Sequence, residues 1–173
     1  MSYPDPVLHL VCGKIAAGKS TLCAHLASAP ETLLISEDFW LARMFPGEIK
    51  TLEDYVRCSE RLKKAIEAHV VDLLGAGLSV VLDFPANTPG QRRWMRDLIA
   101  TAGVSHRLHY LDVADAVCKA RLRERNRTGD HDFTVSDAEF DFITRHFVPP
   151  SPNEGFDVSV YGDKPTVDFS PME

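Results

Sequence analysis

The sequence predicts an α/β fold around a mainly parallel sheet, on two observations. Short apolar runs of strand length alternate along the chain with longer segments of helical periodicity, and the first of those runs ends in a glycine-rich turn that opens directly onto a helix. Such alternation implies right-handed crossovers and puts a ligand site at the carboxyl ends of the strands.

The elements follow in order. Val7–Cys12 is the first strand, stopping at Gly13, and a helical pattern with Leu22 and Leu26 starts at Lys19. Thr32–Ser36 reads as a buried strand that delivers Glu37, Asp38, Phe39 and Trp40 at its end. After a turn at Pro46-Gly47, Tyr55, Leu62, Ile66, Val70 and Leu73 recur at helical spacing, giving a long amphipathic helix from about Leu52 to Leu74. Gly75-Ala76-Gly77 closes it, and the continuous apolar run Leu78–Leu82, ending at Asp83, suits a strand covered on both faces. Pro85–Gly90 is expected as a loop, Gln91–Ala102 as a helix closed by Gly103, His106–Leu111 as a strand, and Val113 to about Arg125 as a helix. Thr128–Asp132 reads as a mobile loop. Ser136–His146 reads as a helix capped by Ser136 with Glu139 completing a capping box, and Asp157–Tyr161 as the last strand. No internal repeat or second domain interrupts the pattern.

The chain has 173 residues, 45% hydrophobic and 25% charged, which suits one globular domain. It contains no apolar run long enough to span a membrane and no signal-peptide pattern at its start, so a cytoplasmic protein is expected. Cys12, Cys23, Cys58 and Cys118 lack CxxC spacing and read as reduced, buried small hydrophobes; the histidines show no zinc-ligand spacing. A net charge of −6 argues against a broad basic face for duplex nucleic acid.

The chemistry concentrates in Gly13-Lys14-Ile15-Ala16-Ala17-Gly18-Lys19-Ser20, a full match to GxxxxGK[ST] in the strand-to-helix setting that this motif requires. Gly13 and Gly18 permit the tight path, and the backbone N–H groups from Gly13 to Thr21 converge on phosphate oxygens together with the positive end of the helix. Lys19 neutralises the β and γ phosphates, and Ser20 is the expected Mg²⁺ ligand. ATP with Mg²⁺ is therefore the expected nucleotide. Hydrolytic members of this class usually place a Glu after the acidic residue of the neighbouring strand, whereas Asp83 is followed by Phe84 and Pro85.

Asp38, at the end of the strand beside the phosphate loop, is the candidate base for an acceptor hydroxyl, with Glu37 as alternate; the bland alternative is that Asp38 merely caps the helix after it. Asp83 is expected near the acceptor or the metal shell, or else simply capping its loop. Arg121, Arg123, Arg125 and Arg127 run into the Gly129 loop. On a helix, Arg121 and Arg125 share one face and Arg123 and Arg127 another, so one pair is expected to reach the phosphates, although the helix dipole alone also favours cations there. Arg125 is the candidate catalytic cation and Arg121 a nucleotide contact. Asn87, Arg92 and Arg93 flank the loop after Asp83 and are candidates for gripping the acceptor. Phe39, Trp40 and Phe45 are candidates for an apolar wall, or else core residues.

Taken together, Gly13–Thr21, Ile35–Asp38, Val80–Asp83, Asn87 with Arg92 and Arg93, Tyr110–Asp112 and Arg121–Arg127 resemble the small P-loop kinases of the AAA_33 type, related to polynucleotide 5′-hydroxyl kinase, chloramphenicol phosphotransferase and zeta toxin. The likeness covers roughly Val7 to Tyr161. It implies a P-loop NTPase fold of three layers, α/β/α, with a five-stranded mainly parallel sheet, the P-loop strand central and an Arg-bearing lid at about 121–135. It also implies that Asp38 is the general base and that Asp83 lies near the acceptor. The expected function is ATP-dependent phosphoryl transfer to a hydroxyl of a small molecule. The alternatives are the same transfer to a nucleic acid 5′-hydroxyl, a non-catalytic ATP sensor, or a toxin-like kinase held by an inhibitory partner.

Overall fold

A computed structural model describes residues 5–128 and 135–163. Its strands are β1 (Val7–Gly13), β2 (Thr32–Ser36), β3 (Ser79–Pro85), β4 (Ser105–Leu111) and β5 (Val158–Tyr161). They form one sheet in the order β2-β3-β1-β4-β5, every pairing parallel, so the P-loop strand is central and the order reverses beside it. That reversal opens a crevice at the carboxyl ends of β1 and β3.

The helices are α1 (Lys19–Leu26), α2 (Glu37–Met44), α3 (Leu52–Gly75), α4 (Pro89–Ala102), α5 (Asp115–Thr128) and α6 (Asp137–Thr144). Alternate residues of β1 face opposite layers. Leu8, Leu10 and Cys12 enter the larger core with α2, α3 and α4, while Val11 packs on Cys23 of α1. The α3 stripe Cys58, Leu62, Ile66, Val70 and Leu74 is spaced by fours and buried throughout. On the other face Leu22, Leu111, Val113, Cys118, Leu122 and Phe140 join α1, α5 and α6 into a second core. The three layers follow from this split. All four cysteines are free and buried.

Three boundaries move from their expected places. Helix α4 begins at Pro89 rather than Gln91, because Thr88 is its N-cap in a capping box with Gln91 and proline is tolerated in a first turn; Pro85 ends β3, so the loop shrinks to 86–88. Helix α2 begins at Glu37 with Ser36 in the cap position, so Asp38 is not its cap. Helix α5 starts at Asp115 and runs as far as Thr128. The remainder of the expected loop and lid, 129–134, lies outside the described residues. The Ser136–Glu139 capping box is present. Among the described residues no helix is long and apolar enough to cross a membrane.

A chain of polar rings crosses the sheet on the α1 side. His9 Nδ1 and His109 Nε2 share a hydrogen bond at 3.0 Å, and His109 Nδ1 meets the Tyr161 hydroxyl at 2.8 Å. Burial, then His9, then Arg107 push the His109 imidazole down to about 3, and burial followed by Arg107 lowers His9 as well. Below about 6.5 the unfolded chain takes up protons that the folded chain refuses. Stability is therefore complete above that pH and is lost as pH falls toward 3, by up to about 1.4 kcal/mol per pH unit for each such proton. Urea unfolding between pH 7 and 4 should show this slope, and His109→Asn should flatten it.

Candidate active site

The loop between β1 and α1 is fixed by close approach. A Cβ on Gly13 would meet Leu111 Cβ at 3.1 Å and the Leu111 carbonyl at 3.2 Å, tighter than side chains ordinarily pack, so glycine eases the approach of β1 to the end of β4. Gly18 holds φ 108° at the N-cap of α1, and Ala16 also adopts a left-handed φ of 59°. Alternation of this kind turns successive N–H groups inward, which makes an anion cradle. Asn87 Oδ1 accepts from the Gly13 N–H at 3.0 Å and ties the loop to the end of β3.

Lys19 bridges the loop from beneath. Its ammonium donates to the carbonyls of Gly13 at 2.7 Å and Lys14 at 2.8 Å, while burial lowers its pKa against the opposing pull of Asp83. Lys14 turns away instead, pairing with Asp115 and donating to the Val113 carbonyl, so its side chain anchors the loop to the start of α5.

Above the loop lies a cleft of about 420 Å³. It is lined by Ile15, Ala16, Gly18, Lys19, Ser20 and Thr21 of the loop and α1, Glu37 and Asp38 of α2, Tyr55 of α3, Asp83 and Pro85 of β3, and Arg121 and Arg125 of α5. Asp83 accepts hydrogen bonds from Ser20 and Cys23; burial raises its pKa and Asp38 adds to this, whereas Lys19 and those bonds oppose. Asp38 is exposed within the cleft. Arg121 donates to the Ala17 carbonyl at 3.1 Å, and the Nε of Arg125 is buried with no partner. The other two arginines of α5 are spent elsewhere: Arg123 pairs with Asp137 and Arg127 with Glu124.

Residues 8–150 match AAA_33, an AAA domain. The chain belongs to the AAA_33 family. No curated protein sequence matches it. A candidate kinase of Chloroflexus aurantiacus J-10-fl is 22% identical with TM-score 0.70, over 93% of this chain and 87% of that one. A sugar kinase of Janibacter sp. HTCC2649 is 18% identical with TM-score 0.61, over 92% and 86%. The Mycobacterium tuberculosis APS kinase, solved with AMPPNP and APS, is 17% identical with TM-score 0.60, over 95% and 92%. These likenesses show that the AAA_33 domain here has the P-loop kinase fold.

Several expected acceptor contacts do not reach this AAA_33 cleft. Arg92 is wholly buried: its Nε meets Glu154 at 2.6 Å, and Nη1 donates to the carbonyls of Ala86 at 2.9 Å and Val148 at 2.8 Å. It staples α4 to the turn at Pro152–Glu154. Asn87 holds the phosphate loop rather than lining the cleft. Phe45 is core, and Phe39 and Trp40 stand outside the lining.

Sequence reasoning passed over Tyr55 and Ser59. The Tyr55 hydroxyl donates to Glu37 Oε2 at 2.7 Å and the Ser59 hydroxyl to Oε1, clamping α2 onto α3. Burial raises the Glu37 pKa against these two bonds. The available signal was a pair of hydroxyls one helical turn apart beside the apolar stripe.

The Arg92 guanidinium is fully buried whereas Glu154 is partly exposed, so Glu154→Gln, which leaves the buried cation without its countercharge, should cost about 3–5 kcal/mol in urea unfolding. Arg92→Met should also destabilise, through the donors lost to the carbonyls of Ala86 and Val148.

Proposed function

We propose that the protein is an ATP-dependent kinase that transfers the γ-phosphoryl group to a hydroxyl of a small-molecule acceptor. The observation that carries this reading is that Asp38 and the cations Lys19, Arg121 and Arg125 line the same cleft. Cations together with an exposed carboxylate in one cleft are what transfer to an alcohol needs.

The residues present fit a nucleotide with Mg²⁺. The turn with left-handed Ala16 and Gly18 lines the cleft, and the buried Nε of Arg125, without a hydrogen-bond partner among the described residues, is available to donate to a phosphate oxygen. Ser20, with Asp83 behind it, would hold Mg²⁺, which when bound offsets charge on the β and γ phosphates. In the transfer, the acceptor oxygen forms a bond to the γ phosphorus as the bond from that phosphorus to the β–γ bridging oxygen breaks, and ADP leaves. Asp38 takes the proton of the acceptor hydroxyl. Lys19 and the two arginines neutralise charge spread over the transferring oxygens, and the buried setting of Lys19 strengthens its effect. Asn87 keeps Gly13 in register so that the cradle stays shaped before substrate arrives.

The sugar kinase and the APS kinase bearing AMPPNP support this reading as structural analogues. Their fold houses ATP-type nucleotides and hydroxyl acceptors, and the acidic charge of this chain favours a small molecule over a polynucleotide.

With labelled ATP and a panel of hydroxyl acceptors, Asp38→Asn should lower transfer at least about a hundredfold while leaving nucleotide affinity in place. Lys19→Ala should abolish the thermal stabilisation that ATP with Mg²⁺ gives the wild type. Full transfer by the Asp38 variant would sink the assignment of the base, and unchanged nucleotide binding by the Lys19 variant would sink the P-loop reading itself.

A further inference from the structure

Tyr55 brings α3 to the lining of the cleft, and the hydrogen of its hydroxyl is already committed. It donates to Glu37 Oε2 at 2.7 Å, while the Ser59 hydroxyl holds Oε1 of the same carboxylate and Lys63 adds a favourable charge to it. Burial raises the Tyr55 phenol above its ordinary range, and the charges of Glu37 and Asp38 push the same way, so the phenol keeps its one hydrogen throughout the working pH range. Turning that hydrogen toward a ligand would strip the buried Glu37 of a donor, which costs more than the new bond gives. What Tyr55 has left to offer is lone pairs. Its donation to a carboxylate makes that oxygen a better acceptor, because bonds in a chain polarise one another.

The other polar groups of the lining have their own roles. Asp83 accepts from Ser20 and Cys23 and is offset by Lys19. Lys19 and Arg121 are bonded to carbonyls of the loop. Asp38 is exposed within the cleft and takes the acceptor's proton in the reading above. It directly follows Glu37, the residue that Tyr55 holds, and its charge acts on Tyr55, Glu37 and Asp83 alike. The Asp38 carboxylate and the Tyr55 oxygen are therefore within the span of one small molecule.

Resting on the kinase reading above, we infer that the acceptor is a polyol: one hydroxyl meets Asp38 and is phosphorylated, and a second, unreacting hydroxyl donates to the Tyr55 oxygen. An acceptor that fills the cleft shields this oxygen from solvent, and a shielded acceptor atom left without a donor is costly. A mono-alcohol leaves it so, and an ether or ketone at this position sets lone pair against lone pair, so both are selected against. The second hydroxyl also holds the first against Asp38, since two contacts leave an acceptor less freedom to turn.

The test removes one partner of this contact at a time. Transfer from labelled ATP with Mg²⁺ is measured for a methyl glycoside, a nucleoside and an aryl diol, and for analogues in which each hydroxyl in turn is replaced by hydrogen or by fluorine. Wild type, Tyr55→Phe, Ser59→Ala and Asp38→Asn are compared, with folding checked by circular dichroism. In the wild type, replacing one particular hydroxyl other than the phosphorylated one should lower kcat/KM about tenfold, whether hydrogen or fluorine takes its place. Tyr55→Phe should cut that discrimination to about twofold or less, because the oxygen that the hydroxyl answered is gone. Ser59→Ala also removes a donor from Glu37, so it should lower transfer to parent and analogue alike and keep the ratio between them. Discrimination that survives Tyr55→Phe, that Ser59→Ala removes equally, or that no unreacting hydroxyl shows would overturn the polyol assignment while the kinase reading stands. Absence of Asp38-dependent transfer to every member would overturn both.

Discussion

The site depends on one constraint, the passage of β1 against β4 at Gly13. A Cβ there would lie 3.1 Å from Leu111 Cβ, so glycine lets the end of the central strand sit close to its neighbour without displacing it. Gly13 then accepts from Lys19 through its carbonyl and donates to Asn87 through its N–H. The ammonium in turn holds the Lys14 carbonyl, and the Lys14 side chain reaches the start of α5. A loop of eight residues is thus bound to β3, β4 and α5 at once. Its left-handed position at Ala16 costs conformational energy that this network offsets, whereas Gly18 takes its positive φ at little cost.

The opposite wall is built by different means. Helix α2 has only eight residues and is too short to be stable by itself. It is held by Leu41 and Phe45 in the core and by the Glu37 carboxylate under the hydroxyls of Tyr55 and Ser59. A buried carboxylate with two hydroxyl donors is costly to desolvate and specific in geometry. It fixes the first turn of α2, and the next residue is Asp38. Packing places the helix, and the polar clamp sets the rotation at which Asp38 looks into the cleft.

The fold was legible because its determinants are local. β3 carries the continuous apolar run Val80–Leu82, β1 is apolar but for His9, the α3 stripe keeps its period, and the P-loop spacing requires a strand before it and a helix after it. The phosphate side was legible for the same reason, since one contiguous motif supplies most of it. The acceptor side is assembled from α2, α3 and the end of β3, and helix phase decides which side chains face inward. Arg92 was legible as a residue of α4, but its burial depends on Glu154, 62 residues later, coming within 2.6 Å. Tyr55 looked like one more apolar position of a long helix until the partner carboxylate, 18 residues earlier, came within 2.7 Å.

The residues that line the cleft are held by different parts of the fold. Lys19 and Arg121 are tied to backbone carbonyls of the loop, at Gly13, Lys14 and Ala17, so altering either disturbs the loop itself. Asp38 belongs instead to α2, whose first turn the Glu37 carboxylate fastens to α3 through Tyr55 and Ser59. A substitution at Asp38 therefore leaves the bonds within the loop in place, whereas one at Lys19 removes two of them.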